Sequence, residues 1–211
     1  TITDRDATAS GVALGDLEEG VPLTDLAAAY VMFINGGKYC APRFYDRVLD
    51  KDGNVVLEAP VNTHQAVSSE NAWIMNRLLY YNVNTPDCIA GGAALGNGVE
   101  VIGKTGTVVN SLNEDSGRLF AGAIPGYTAA IWLGFDDTSA SIQRRNYTPP
   151  TEIWKNVMEH VQVAEKSFSP DPNVIETDYC TLTGGVAGRD CPAVEKGFYT
   201  EGNVPGRCRV H

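Results

Sequence analysis

Residues 98–110, Gly98-Val-Glu-Val-Ile-Gly103-Lys104-Thr105-Gly106-Thr107-Val-Val-Asn110, decide the fold of this chain. Letter for letter, Gly98-x-x-x-x-Gly103-Lys104-Thr105 spells a phosphate-binding loop. Such a loop works where a strand ends before its first glycine and a helix begins at its Lys-Ser/Thr, so that backbone N–H groups surround the phosphate. Here the order is reversed. The stretch Ile89-Ala-Gly-Gly-Ala-Ala-Leu-Gly-Asn97 is no strand, and the four positions inside the would-be loop are Val-Glu-Val-Ile, which favour extended backbone. After Thr105, Gly106-Thr-Val-Val-Asn110 has low helix propensity and no apolar stripe. Val99–Val109 therefore reads as a strand, and nucleotide binding is set aside.

On a strand, side chains alternate, so Lys104 and Gly106 share one face while Thr105 and Thr107 share the other. Gly106 removes a side chain where a ligand backbone could approach. At the border of a cleft, the strand's unpaired N–H and C=O groups could hold a peptide by strand addition. An ammonium and two hydroxyls beside them suit a carboxylate-bearing ligand. Four such common residues also make an ordinary exposed strand, so the surroundings must decide.

Working outward, Asp25–Ile34 places Leu26, Ala27, Tyr30, Val31 and Ile34 on one helical face, and Gly36-Gly37 stops it. Arg43–Leu49 and Val55–Glu58 flank Lys51-Asp52-Gly53-Asn54, a hairpin signal. Ser68 or Ser69 caps a helix running to about Tyr81, with Ala72, Met75, Leu78 and Leu79 inward. Thr85–Gly98 is a loop and Asn110–Gly117 a polar connection. Leu119–Ile124 and Tyr127–Phe135 are strands joined by Pro125-Gly126. Pro149-Pro150 opens a helix with an apolar stripe of Ile153, Trp154, Val157, Met158 and Val161. Trp73, Trp132 and Trp154 fall at core positions. Residues 1–20 read as an irregular lead-in, and after Ala164 a Ser-, Pro-, Gly- and Cys-containing composition marks a loop-rich tail.

Consecutive strands joined by short turns are antiparallel, and helices before and after them cover the faces. The predicted fold class is α+β, an antiparallel sheet covered by helices, with a Cys-containing tail. The expected division is residues 1–164 and a C-terminal extension, 165–211.

With 43% hydrophobic residues, 211 residues can bury a sizeable core. Asp and Glu outnumber Lys and Arg 26 to 16, giving a net charge of −10, which argues against a nucleic-acid partner. No apolar run approaches membrane-spanning length, and the chain opens without a basic-then-apolar leader.

Taken together, these stretches resemble the transpeptidase domain of class A penicillin-binding proteins. The resemblance rests on Val12-Ala-Leu-Gly15, Gly20-Val-Pro-Leu-Thr-Asp-Leu-Ala-Ala-Ala-Tyr30, Phe33-Ile-Asn-Gly-Gly37 and the Asp50–Asn54 turn. It continues through Gly103-Lys-Thr-Gly-Thr107 and Tyr127-Thr-Ala-Ala-Ile-Trp-Leu-Gly-Phe-Asp136. The tail, with Thr183-Gly184, Cys191-Pro192, Phe198, Gly202, Pro205 and Cys208-Arg-Val-His211, is similar to the C-terminal extension of some members.

The resemblance implies serine acyl transfer from a peptidoglycan stem peptide ending in D-Ala-D-Ala, and acylation by β-lactams that imitate it. Lys104 would carry the catalytic charge, while Thr105, Gly106 and Thr107 would bind substrate. The Thr107 N–H would be one oxyanion donor. No cofactor and no metal ligand is assigned to this site. The implied location is the extracytoplasmic face of a bacterial membrane, reached through an anchor outside this chain and accompanied by a glycosyltransferase domain.

Two departures stand out. No Ser is followed three residues later by Lys, so the family's nucleophile box is missing. The upstream Ser-x-Asn box is also read as absent, because Ser111-Leu112-Asn113 follows the strand and reads as a polar turn. Ser116-Gly-Arg-Leu-Phe120 further lacks the aromatic that often precedes the Phe. The expectation is that these residues are the C-terminal part of a longer transpeptidase, inactive alone. The alternative is a non-catalytic wall-binding or interaction module on the same scaffold.

Of the remaining candidates, Thr1 as an N-terminal nucleophile and Cys40 with His64 as a thiol dyad have nothing around them to support chemistry. Cys180, Cys191 and Cys208 with His211 leave three readings open. They are a disulfide such as Cys180–Cys191 with Cys208 outside it, separate thiols, or a tetrahedral zinc site.

Overall fold

A computed structural model describes residues 2–15, 17–135, 140–142 and 149–210. The lead-in expected to be irregular contains a short helix, α1 (Ala9–Leu14). Thr8 caps it by accepting the Gly11 N–H, and Gly15 ends it in the left-handed conformation. Gly11 is its one buried residue, so there was no apolar period to read. Next comes α2 (Leu23–Val31), two residues ahead of the predicted start because Pro22 presets the entry. Its C-terminal end tightens into i→i−3 turns from Phe33 to Tyr30 and from Ile34 to Val31.

The predicted hairpin forms as an arm: β1 (Lys38–Cys40), β2 (Arg47–Leu49), β3 (Val55–Glu58) and β4 (Thr63–Gln65). β2 pairs β3, and β1 pairs β4 beneath them. The Asp50 carboxylate sets the turn by accepting the N–H groups of Asp52 and Asn54. Sequence reading missed β1 and β4, which have three residues each and are too short to show a period.

Ser68 caps α3 (Ser69–Asn84) through the Asn71 N–H. Its buried residues are Ala72, Asn76, Arg77 and Val83, whereas Met75 and Leu78, predicted to point inward, are 39% and 57% exposed. The inward stripe contains an amide and a guanidinium with built-in partners, so apolar period alone selected part of the wrong face.

Beyond a short 3₁₀ turn at Gly91–Ala93, the antiparallel sheet runs β5 (Ile102–Val109), β6 (Asp115–Ile124) and β7 (Tyr127–Gly134), in that spatial order. The predicted connection Asn110–Gly117 is shorter than expected, because β6 begins at Asp115. Pro150 then opens α4 (Pro150–Met158). One sheet face buries Phe120 and Ile124 against Trp154 and Met158, with the Phe120 and Trp154 rings edge to face 5.2 Å apart. The other buries Ile102 and Ala123 against Phe33, Ile34, Trp73, Leu79 and Phe168. The α+β class with helices on both faces holds. Of the predicted core residues, Trp154 is fully buried, but Trp132 and Val157 are 43% and 54% exposed.

The tail is less loop-rich than its composition suggested. β8 (Val174–Cys180) pairs along its whole length with β9 (Val194–Thr200), and Tyr81 on α3 meets Phe198. The segment leading into it is stitched to the body. Glu100 N–H donates to Lys166 O at 2.7 Å, and Phe168 N–H donates to the Glu100 carboxylate at 2.9 Å. No helix among the described residues is long and apolar enough to cross a membrane.

Candidate functional site

The register of β5 places Lys104 opposite Ala121, Thr105 opposite Phe120, Gly106 opposite Leu119 and Thr107 opposite Arg118. Lys104 and Gly106 thus lie on the α2–α3 face and Thr105 and Thr107 on the α4 face, in the alternation the sequence dictates. β5 is extended through Thr105, and Gly98 sits in a turn with φ +80°. The phosphate-loop spelling therefore has no helix at its lysine. Gly103 serves packing instead: a Cβ there would stand 2.4 Å from the Phe120 ring. Gly106 also lies under a neighbour, with a Cβ meeting Leu119 at 3.3 Å.

β5 is an edge strand, and among the described residues no other strand pairs with its outer side. Asn84 Nδ2 donates to Val101 O at 2.8 Å, and Asn82 Nδ2 donates to Gly103 O at 2.7 Å, both from α3. Odd-numbered carbonyls thus face away from β6. In an antiparallel pair alternate residues point the same way, so the main-chain groups of Thr105 and Thr107 face the open edge. Lys104 Nζ agrees with this geometry, reaching around to donate to Thr105 O at 3.0 Å.

A residue missed in sequence reading stands beside this edge. Arg118 donates to the Thr107 hydroxyl at 3.3 Å and pairs with Asp115. Its signal was the hairpin register, which makes Arg118 the cross-strand partner of Thr107. The edge thereby carries two cations, two hydroxyls and outward N–H groups, a donor-rich strip suited to a carboxylate-ended peptide.

The other candidates separate. Ser111-Leu112-Asn113 is the polar turn expected, with Asn113 at φ +60° and the Asn110 side chain accepting from Leu112 and Glu114 N–H. A second Ser-x-Asn, overlooked in the sequence, does lie upstream: Ser69-Glu70-Asn71. It forms the first turn of α3, where Asn71 N–H donates to Ser68 Oγ. At 1.5 Å per residue, Ser69 lies roughly 20 Å along the helix from Asn82, the residue that touches β5. It is a helix start, far from Lys104. Cys40 pairs with Thr63, while His64 pairs with Tyr39, so thiol and imidazole sit on opposite strand faces and form no dyad. Thr1, Asp136 and His211 lie outside the described residues.

An open edge strand on a helix-covered antiparallel sheet is the arrangement that the resemblance to penicillin-recognising acyl-transfer domains implies. The comparisons carry this to a family. The profile of the penicillin binding protein transpeptidase domain matches residues 10–159, so the chain belongs to that family. It is 32% identical over 217 residues to penicillin-binding protein 1A of Clostridium tetani, covering 96% of this chain and 27% of that protein. The crystal structure of penicillin-binding protein 1A from Haemophilus influenzae superposes with a TM-score of 0.68 at 19% identity, over 89% of this chain and 33% of that one. PonA1 from Mycobacterium tuberculosis in complex with penicillin V gives 0.65 at 21% identity, over 76% of this chain and 44% of that one. The chain thus spans about a quarter of the length of its curated relative.

Proposed function

We propose that this chain supplies the Lys-Thr-Gly wall of a peptidoglycan DD-transpeptidase site, within residues 1–164, with 165–211 as an appended extension. The observation that carries the reading is the open β5 edge, where Thr105 and Thr107 turn their main-chain groups outward beside the Lys104 ammonium. A stem peptide ending in D-Ala-D-Ala would lie antiparallel along that edge. Thr105 and Thr107 hydroxyls would bind its carboxylate, with Arg118 holding the Thr107 hydroxyl. Gly106, beneath Leu119, adds no side chain that would crowd the bound peptide, and Lys104 supplies positive charge beside the proton-relay groups.

In the reaction, a serine Oγ attacks the penultimate D-Ala carbonyl and its proton passes to a base. The tetrahedral oxyanion is held by N–H donors including that of Thr107, and the terminal D-Ala leaves as the protonated amine. An acceptor amine then displaces the serine and forms the cross-link. β-Lactams enter the same site and stop at the acyl-serine. The serine belongs to a Ser-x-x-Lys box that these 211 residues do not contain, so it must come from other polypeptide. The work then takes place at the extracytoplasmic face of the membrane.

Labelling with a fluorescent penicillin tests this in two arms. The 211-residue chain alone is expected to take no covalent label. The full-length polypeptide carrying a Ser-x-x-Lys box is expected to label, and to label far more slowly on Lys104→Ala. A covalent adduct on the isolated chain would overturn the reading. So would a full-length polypeptide with no such box, which leaves a wall-binding module on the same scaffold.

A further inference from the structure

Cys180, Cys191 and Cys208 come from three separate segments of the tail, and their Sγ atoms all lie within 4.8 Å of one another. We propose that these three thiolates hold a soft divalent metal ion, zinc, which staples the C-terminal extension.

The backbone around the sulfurs is arranged to bring them together. Cys180 closes β8, and its carbonyl accepts the N–H groups of Thr183 and Gly184, turning the chain back at once. Val186 then bridges two partners: antiparallel to Tyr179, next to Cys180, and parallel to Arg207, next to Cys208. Cys208 N–H donates to Val186 O at 2.8 Å, which fixes its side chain beside the end of β8. Cys191 arrives from the following loop, where Gly188 N–H donates to its Sγ at 3.2 Å. That N–H holds the Cys191 sulfur in place at the edge of the cluster.

Three mutually close sulfurs fit one ion better than one disulfide. A tetrahedral ion with bonds of about 2.3 Å to sulfur sets its ligands about 3.8 Å apart. A disulfide takes two sulfurs and leaves the third packed against them with no role. The hairpin also lacks what would otherwise hold it. Beyond Phe168, the buried residues among those described are Cys180 and Gly197, so the extension encloses no apolar core of its own. Small lobes of this kind are stabilised by a metal or by disulfides. The one buried side chain here stands where the three sulfurs meet. The sequence sets His211 three residues beyond Cys208 as a fourth donor, but the proposal rests on the three sulfurs alone.

The test uses the 211-residue chain, purified under reducing conditions, freed of metal with a chelator and titrated with Co²⁺ and then Zn²⁺. One equivalent of Co²⁺ is expected to give the charge-transfer and visible bands of tetrahedral thiolate coordination, and Zn²⁺ to bleach them. Elemental analysis of the untreated protein is expected to find one zinc per chain. Cys180→Ser, Cys191→Ser and Cys208→Ser are each expected to abolish the bands, while Cys40→Ser and Cys88→Ser leave them. A further arm needs no variant to fold: chelation is expected to open the 174–208 hairpin to protease, and Zn²⁺ to close it again. The proposal is overturned by a cobalt spectrum that never forms, by metal binding that survives the three substitutions, or by a protein that, purified without reductant, is two hydrogens lighter and whose hairpin resists protease without metal.

Discussion

The side-chain amide of Asn82 donates to the carbonyl of Gly103 at 2.7 Å, fastening the C-terminal end of α3 to the edge of β5 one residue before Lys104. This bond and its neighbour from Asn84 to Val101 divide the edge into a part closed by α3 and a part, from Thr105 onward, that is open.

Asn82→Ala leaves the Gly103 carbonyl without its donor. Stranding a partly buried acceptor costs about 1–3 kcal/mol, so the unfolding free energy is expected to fall by that amount, seen as a lower urea midpoint at an unchanged slope. In the full-length protein, penicillin acylation is expected to slow as well, because the wall loses its anchor. An unchanged midpoint would show that the bond has no part in fixing the strand.

Gly103 bears directly on Phe120. A Cβ at Gly103 would meet the ring at 2.4 Å and the Ala121 carbonyl at 2.9 Å, whereas one at Gly96 would meet nothing within 4 Å. Gly103→Ala is therefore expected to lower stability by about 1–3 kcal/mol through overpacking. Gly96→Ala is expected to stay within about 0.5 kcal/mol of the parent. Thermal melts of the two variants, side by side, decide whether the glycine of the Gly-Lys-Thr-Gly run is there for packing.

That pair also indicates what was legible in advance. The β-branched run around Lys104 excluded a phosphate loop, and its period of two placed Lys104 and Thr105 on opposite faces, because both signals are local. The turn at Pro125-Gly126 and the helix opened by Pro150 were equally local. What sequence could not show depends on partners distant in the chain. Arg77 is buried beside Trp73, Glu100 and Phe168, on a helix face that the apolar period did not select. Leu78 faces out from the core but lines a groove with Phe198 of the tail hairpin. Arg118 reaches Thr107 only through strand register. Ser69-Glu70-Asn71 shows the opposite failure: the letters of a catalytic box occur, but they are used to start a helix.

Arg77 is 9% exposed, forks onto the Glu100 carboxylate at 3.2 and 3.3 Å, and lies 4.3 Å from the Trp73 ring and 4.7 Å from that of Tyr80. Arg77→Ala strands Glu100, which also holds Phe168, and is expected to cost about 3–5 kcal/mol. Arg77→Lys should recover little of this, because an ammonium neither forks nor stacks as a guanidinium does. Urea denaturation should rank Arg77→Ala and Arg77→Lys below Glu100→Gln, which keeps an acceptor for the Phe168 N–H. A Lys variant as stable as the parent would contradict the argument.

Acid should act first on the lead-in. The Thr3 N–H bonded to the Asp6 carboxylate holds it below its ordinary value of 3.8, aided by the Thr3 hydroxyl and opposed by burial. A lowered folded-state value means that the contribution is complete above the ordinary value and disappears as pH falls through the folded one. Hydrogen exchange of residues 3–20 is expected to be insensitive to pH-dependent opening above about pH 4 and to show loss of protection below it. Asp6→Asn should remove that acid step. An equal acid step in the Asn variant would place its origin elsewhere.

Lys104 separates a binding role from a structural one. Its side chain is exposed, and the hydrogen bond it makes among the described residues is to Thr105 O, its own neighbour in the chain. Nothing in the core depends on it, so Lys104→Ala is expected to unfold within about 0.5 kcal/mol of the parent. A charge serving proton relay is different, since general acid–base groups contribute about 10²–10⁴-fold. Penicillin acylation of the full-length Lys104→Ala protein is accordingly expected to slow by about 100-fold or more. Thr107→Val supplies the comparison: it keeps the outward N–H while removing the hydroxyl that Arg118 holds, so it should weaken capture of the carboxylate more than the chemical step. A Lys104→Ala protein that acylates at the parental rate would leave β5 an ordinary edge strand, and one that melts early would make the lysine a structural residue.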